Sequence, residues 1–166
     1  NLSAPMAKKT GKERYRDVAQ NRRALHEYEI LDRFEAGLVL TGSEVKSLRE
    51  RGATIRDAYA EVRDGEAWLV NAHIPEYHNA SMLGHEPLRT RKLLLHRQEI
   101  ARIAGRLAEK GLSLVPLRLF FTPEGLAKLE LGLGRGRKLY DKRRAIAERE
   151  MRREADRAVR SAVKGR

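Results

Sequence analysis

Toward the end of the chain Val115, Leu117, Leu119 and Phe121 fall at every second position. After Thr122-Pro123-Glu124-Gly125 the same period resumes at Leu129, Leu131 and Leu133. A strand turns successive side chains to opposite faces, so this spacing predicts two strands with one buried face, joined by a proline–glycine turn. A second hairpin is predicted where residues 58–62 and 67–70 flank Arg63-Asp64-Gly65-Glu66, because Asp and Gly tolerate the positive φ of a tight turn. Two shorter aliphatic runs, 28–31 and 38–40, read as strands on either side of a turn at Glu35-Ala36-Gly37.

Helical periodicity occurs elsewhere. Residues 43–49 read as a short helix with Ser43 as N-cap and Gly52 as its stop. Residues 96–110 carry Ile100, Ile103, Ala104, Leu107 and Ala108 on one face, with Gly111 as the cap. The sum is about six strands with two inserted helices. That pattern predicts a mainly β fold, a small closed or partly open β-barrel with accessory α-helices, rather than a βαβ sheet. The body is expected over residues 21–133, after a flexible arm over 1–20 in which 1–5, ahead of Met6, read as a remnant.

The last segment, 134–166, differs in kind. It opens Gly134-Arg135-Gly136-Arg137-Lys138-Leu139-Tyr140-Asp141-Lys142-Arg143-Arg144 and holds thirteen Lys or Arg against five Asp or Glu. It therefore carries most of the chain's net charge of +12. From Arg144 on, Met151, Ala155, Ala158, Val159, Ala162 and Val163 line one helical face, mostly alanine, which is too little apolar area to dock on the body. The expectation is a basic tail that is disordered when free and helical when an anionic partner receives it.

Such a charge favours a polyanion, nucleic acid first and acidic membrane second. The absence of cysteine excludes disulfides, thiolate nucleophiles and cysteine-ligated zinc, and it fits a reducing compartment. No apolar run approaches the roughly 18 residues of a membrane span, and no signal core opens the chain, so a cytoplasmic protein is expected. The Asn79-Ala80-Ser81 sequon then carries no weight.

Catalytic chemistry finds little support. His73, His78 and His85 lack ligand spacing and read as surface loop histidines, so no metal or other cofactor is expected. Gly132-Leu133-Gly134-Arg135-Gly136 lacks both the GxGxxG spacing and the Gly-Lys-Ser/Thr of nucleotide loops; its glycines read as the point where the backbone leaves the barrel and nears a phosphate. The serines have no base partner, and no enzyme is expected. Basic clusters beside aromatics are the stronger signal. Arg89, Arg91 and Lys92 precede Leu93-Leu94-Leu95, and Tyr140 lies between Lys138 and Lys142. Cations fix phosphates while an aromatic stacks on an exposed base.

Several ordered motifs now coincide: Asn21-Arg22-Arg23-Ala24 with His26-Glu27-Tyr28, Phe34-Glu35-Ala36-Gly37, Gly42-Ser43-Glu44-Val45-Lys46-Ser47-Leu48-Arg49, Arg91-Lys92-Leu93-Leu94-Leu95-His96, and Leu131-Gly132 leading to Gly136-Arg137-Lys138-Leu139-Tyr140-Asp141-Lys142-Arg143. Together they resemble the bacterial SsrA-binding (small protein B) family from about Asn21 onward. The resemblance implies an oligonucleotide-binding-type β-barrel and an adaptor role in trans-translation, the rescue of stalled ribosomes. It implies binding of the tRNA-like domain of transfer-messenger RNA by the body, while the tail enters the decoding centre and empty message channel. The implied partners are transfer-messenger RNA and the small-subunit RNA of the ribosome, with elongation factor Tu and alanyl-tRNA synthetase reached through the RNA.

Carried over by motif, the implied RNA-binding positions of the body are Asn21, His26, Tyr28, Glu35, Leu94 or Leu95, and Lys128. In the tail they are Gly136, Arg137, Lys138, Asp141, Lys142 and Arg143, with Tyr140 placed to stack. Glu35 either accepts from a base amino group or holds a neighbouring cation. Arg135 and Arg137 stand where lysine is common in the family, and Ser43 where a bulkier residue or threonine is. The competing expectation is a general RNA-binding or ribosome-associated structural protein with the same fold.

Overall fold

The computed structural model describes residues 15–77 and 84–164, the side chains of 138–143 and 164 excepted. Residues 1–14 of the expected arm and the sequon at Asn79 lie outside the described residues.

Seven strands and four helices follow in the order β1 (Arg16–Gln20), α1 (Arg22–Glu27), β2 (Tyr28–Leu38), α2 (Gly42–Glu50), β3 (Tyr59–Arg63), β4 (Glu66–Val70), β5 (Arg91–Leu94), α3 (Arg97–Leu107), β6 (Leu112–Phe121), β7 (Ala127–Gly136) and α4 (Arg137–Lys164). The sheet runs β1-β6-β3-β4-β5-β2-β7, and β7 pairs back onto β6. Six antiparallel strands therefore close a barrel of the expected class, and β1 lies outside the ring. It extends the edge of β6 from Arg16↔Phe121 to Gln20↔Arg118, next to the single β3 pairing at Ala60↔Leu114. Residues 16–20 are thus a strand and not part of an arm. Their apolar side chains are only Val18 and Ala19, both half-buried against the core, and so the sequence pattern is faint.

Leu129, Leu131 and Leu133 of β7 point into the barrel with no exposed surface, beside Leu114, Leu119, Leu69 and Leu93. Ile103 closes one part of the core from α3, and Leu48 another from α2. A smaller cluster lies on the outer face: Ala24 of α1 packs on Val115 and Leu117, joined by Tyr28 and Ile30. With both faces covered, β6 reads as a nearly continuous apolar run.

Four expectations change. The turn at Glu35-Ala36-Gly37 is absent, because β2 runs unbroken over eleven residues from Tyr28 to Leu38. Gly37 is there for packing: a Cβ would come within 3.2 Å of Leu94, its partner across the β2–β5 junction. A register shift between Ile30 and Asp32 also exchanges faces, so Tyr28 and Ile30 lie under α1 while Phe34, Ala36 and Leu38 enter the core. Residues 91–94, expected as the end of a basic cluster and the start of an aliphatic run, form β5 and complete the ring. The N-cap of α2 is Thr41, not Ser43. Its hydroxyl takes the Glu44 N–H at 3.3 Å, and the Glu44 carboxylate takes its N–H at 2.9 Å. Finally, β7 continues to Gly136, past the boundary expected at 133, and α1 was not expected as a helix.

The expected hairpin is present, with Asp64 and Gly65 both at positive φ of 53° and 75°.

Candidate nucleic-acid interface

The expected RNA-binding residues of the body fall into three places. The first is the end of β2. Glu35 and Lys128 come from paired strands, Gly37 facing Lys128 across the ladder, and their charged ends stand 3.7 Å apart with the Glu35 side chain 59% exposed. Leu94 ends β5 opposite Gly37 and is 54% exposed, and Leu95 follows it. These four residues line one open cleft of about 400 Å³. Its composition suits RNA: a cation for phosphate, a carboxylate able to accept from a base, and apolar side chains for a base face.

Three more residues border the same cleft and were not expected there. Leu126 stands 59% exposed at the β6–β7 turn. His96 and Glu99 open α3, where the Glu99 carboxylate accepts the His96 backbone N–H at 3.1 Å. A solvent-facing leucine in a turn predicted from Pro123 and Gly125 is the one hint that could have found the first of them.

The second place is the other end of β2. Asn21 is buried, and each polar atom of its side chain is used internally. Its Oδ1 accepts the Ala24 N–H at 3.2 Å as the N-cap of α1, and its Nδ2 donates to the carbonyls of Pro116 at 3.0 Å and Ile55 at 3.4 Å. Asn21 therefore ties α1 to β6 and to the segment before β3, a structural use beside the RNA contact expected of it. His26 is exposed on the last turn of α1. Tyr28 is half-buried against β7, where a Cβ on Gly134 would lie 2.9 Å from the tyrosine Cβ. Gly132 is likewise covered by Leu117 and Ile30, so neither glycine is the exposed phosphate approach expected from the sequence. Gly136 alone of the three has open space at its Cβ position.

The third place corrects the basic cluster. Arg91 has no exposed surface; its Nε pairs with Glu44, and Nη1 and Nη2 donate to the carbonyls of Ala72 at 2.7 Å and Pro87 at 3.1 Å. Arg89 pairs with the other Glu44 oxygen at 2.5 Å, and Lys92 reaches Glu66 at 3.0 Å on the neighbouring strand. His85, expected on the surface, is buried beside them, with Nδ1 2.9 Å from the Ser43 hydroxyl and Nε2 3.0 Å from the Ile74 carbonyl. Arg91 is thus the centre of a buried network pinning α2 to β5 and cannot touch RNA.

Burial alone would raise the pKa of Glu44. Hydrogen bonds from Arg89, the Thr41 backbone and Arg91 outweigh it and hold the carboxyl at about 2. Burial lowers the pKa of Arg91, offset in part by Glu44, and a guanidinium still keeps its proton at neutral pH.

α4 leaves the barrel directly after Gly136, and its described side chains are exposed, Arg137 included. The side chains of Lys138, Tyr140, Asp141, Lys142 and Arg143 lie outside the described residues, although their backbone belongs to the helix. Among the described residues no helix is long and apolar enough to cross a membrane, and no group of three His, Asp or Glu could hold a metal ion.

Known proteins resemble the chain over nearly its whole length. The model of the family described as SmpB protein matches residues 18–161. The SsrA-binding protein of Acidothermus cellulolyticus is 52% identical over 160 residues, covering 96% of this chain and 98% of that protein. The SsrA-binding protein of Thermobifida fusca is 55% identical over 143 residues, covering 86% and 89%. A solved chain from "tmRNA-SmpB: a journey to the center of the bacterial ribosome" aligns with a TM-score of 0.61 at 48% identity, covering 72% of this chain and 84% of that one.

Proposed function

The chain belongs to the SmpB protein family, and on that footing we infer its role as the RNA-binding adaptor of trans-translation. It binds transfer-messenger RNA and brings it to the stalled ribosome. The observation that carries the body's part is the cleft in which Glu35, Leu94, Leu95 and Lys128 converge although they come from three different strands or their ends. That cleft takes the tRNA-like domain. Lys128 meets a phosphate, Leu94 lies against a base, and Glu35 accepts from a base amino group.

The tail takes the ribosomal part. α4 continues the last barrel strand without a break, and its described cations face solvent. A basic helix this exposed is marginal in water and gains its stability when ribosomal phosphates surround it, in the decoding centre and the empty message channel. Tyr140 stacks on a base there, and Arg137, Lys138, Lys142 and Arg143 meet phosphates. Elongation factor Tu and alanyl-tRNA synthetase join through the RNA, the protein itself performs no catalysis, and it works in the cytoplasm with the ribosome.

A broad RNA binder would share the barrel and the charge. Sequencing the RNA that co-purifies with the full chain at moderate salt separates the two, since non-specific contacts weaken steeply with ionic strength. Transfer-messenger RNA is expected to dominate. A mixture that follows cellular RNA abundance, together with equal displacement by bulk tRNA, would instead establish the broad binder.

A further inference from the structure

Three glycines of β2 and β7 lie beneath side chains of neighbouring strands, and one of them differs from the other two. A Cβ on Gly132 would come within 2.9 Å of Leu117, and one on Gly134 within 2.9 Å of Tyr28. Leu117 and Tyr28 belong to the outer apolar cluster under α1, so these two glycines admit packing that hides apolar surface. At Gly37 the covering side chain is Leu94, which is 54% exposed. Burial stabilises in proportion to the apolar area taken from water, so this close approach does little for the fold.

The backbone does not demand a glycine there either. Gly37 is not among the residues at positive φ, and β2 passes through it without a turn. It stands at the centre of a three-strand row, with Lys128 opposite on β7 and Leu94 opposite on β5. Residues directly opposed across a ladder share a face. The row therefore looks outward, since Leu38 and Leu93 beside it look into the core. It forms the bed of the cleft that Glu35 also lines.

Opposed residues ordinarily hold their Cβ atoms about 4.5–5.5 Å apart. The Cβ position of Gly37 is only 3.2 Å from the Leu94 Cβ, 3.5 Å from its Cδ1 and 3.8 Å from its Cγ. Leu94 thus leans across the glycine, in the direction of β7 and Lys128, with its branch end held almost as low as its stem. A low apolar surface beside a cation suits the face of a base whose phosphate meets the ammonium. A side chain at position 37 would lift Leu94 into the space that the base takes. Leu94 is free to yield in this way because it faces solvent.

We propose that Gly37 is a positioning residue of the transfer-messenger RNA cleft: having no side chain, it lets Leu94 lie low enough to receive one base. This role rests on the adaptor function inferred above and adds to it a residue that acts only through Leu94.

The test is a double-mutant cycle on the full chain, titrated with transfer-messenger RNA well below the melting temperature of every variant. Gly37→Ala should weaken binding about fivefold, the low end of what one base contact is worth. The salt slope should stay that of wild type, since no charge is removed. The melting temperature should hold or rise, because alanine leaves the unfolded chain less freedom than glycine. Leu94→Ala takes the apolar surface away, and in that background Gly37→Ala should change affinity by less than about twofold. In a Lys128→Ala background the loss of about fivefold should return, as the phosphate contact is independent.

Unchanged affinity of Gly37→Ala beside a wild type that binds would overturn the proposal and leave the adaptor function standing. A loss of equal size with and without Leu94 would make Gly37 a residue of the fold alone, and so would an early melt that Leu94→Ala does not rescue; either overturns the proposal. A wild-type chain that does not bind transfer-messenger RNA would show instead that the adaptor function is wrong.

Discussion

The barrel and the tail are both rich in arginine and put it to opposite uses. In the barrel Arg91 is sealed from solvent, shares Glu44 with Arg89 and fastens β5 to α2. In α4 the described side chains are exposed, and Arg144 with Glu148, 3.6 Å apart and well solvated, is an i,i+4 pair of the kind that adds only a few tenths of a kcal/mol. A cation with a buried partner is part of the fold. A cation without one is available to a polyanion. Net charge counts both alike, so the +12 of the chain overstates what the barrel can offer RNA and understates how far binding charge is concentrated in the tail.

Removing the tail tests that division most severely. A chain ending at Gly136 keeps every strand of the closed barrel, so it should melt as a cooperative unit and bind transfer-messenger RNA within a few-fold of the full chain. Peptide tagging on stalled ribosomes should fall by about a hundredfold or more. The salt dependence of ribosome binding should flatten, by about 0.7 to 0.9 in the log–log slope for each phosphate that the shortened chain no longer neutralises. A truncated chain that still tags would erase the contrast between the two regions.

The buried end of the comparison is broken by Glu44. Glu44→Gln leaves Arg91 buried with a neutral partner, and loss of one member of a buried pair costs about 3–5 kcal/mol. An exposed pair such as Arg33–Glu130 should cost under about 1 kcal/mol when Arg33→Ala removes it. The pH dependence has a definite sign. The folded pKa of Glu44 lies at about 2, below its ordinary value of 4.5, so its charge stabilises the fold fully above that ordinary value. The contribution is then lost as pH falls from about 4.5 toward 2. Urea denaturation of wild type at steps between about pH 6 and pH 2.5 should show this loss, and Glu44→Gln should show a flatter profile. Equal slopes would remove Glu44 from the acid response.

The barrel was legible where one face is buried and the other wet, as in β7 with its three core leucines and in the Asp64-Gly65 hairpin. It was hidden where that alternation fails. β2 looks like two strands because its bulge exchanges faces and because Gly37 looks like a turn residue, while its real reason is the close approach of Leu94. β1 and β5 are short, and β5 carries the charges of a buried ion pair, which a sequence shows only as a basic cluster. The candidate cleft was half visible. Glu35, Leu94, Leu95 and Lys128 do meet, but Asn21 and Arg91 turn inward, because a motif preserves the residue and not the reason for it. Leu126 meets His96 and Glu99 only through closure of the ring, which no local pattern encodes.

Lys128 stands between the two extremes, a half-exposed barrel cation 3.7 Å from a largely exposed acid, and it gives the smallest and sharpest test. Lys128→Ala should weaken transfer-messenger RNA binding about three- to tenfold and reduce the salt slope by about one, the mark of a single phosphate contact. Glu35→Gln separates the two roles open to the glutamate. If Glu35 only restrains Lys128, neutralising it removes repulsion toward RNA, and binding should hold or strengthen. If Glu35 accepts from a base amino group, the amide still offers its oxygen but loses the charge-assisted bond, and binding should weaken by a few-fold with the salt slope unchanged. Direct acceptance is the expected result, since a solvated carboxylate in a cleft proposed to receive RNA otherwise only opposes the ligand. Titrations of the two single variants and the double variant, each at two salt concentrations, decide it. A tighter complex for Glu35→Gln would place the glutamate with Glu44 and the other acids that serve only to hold a cation.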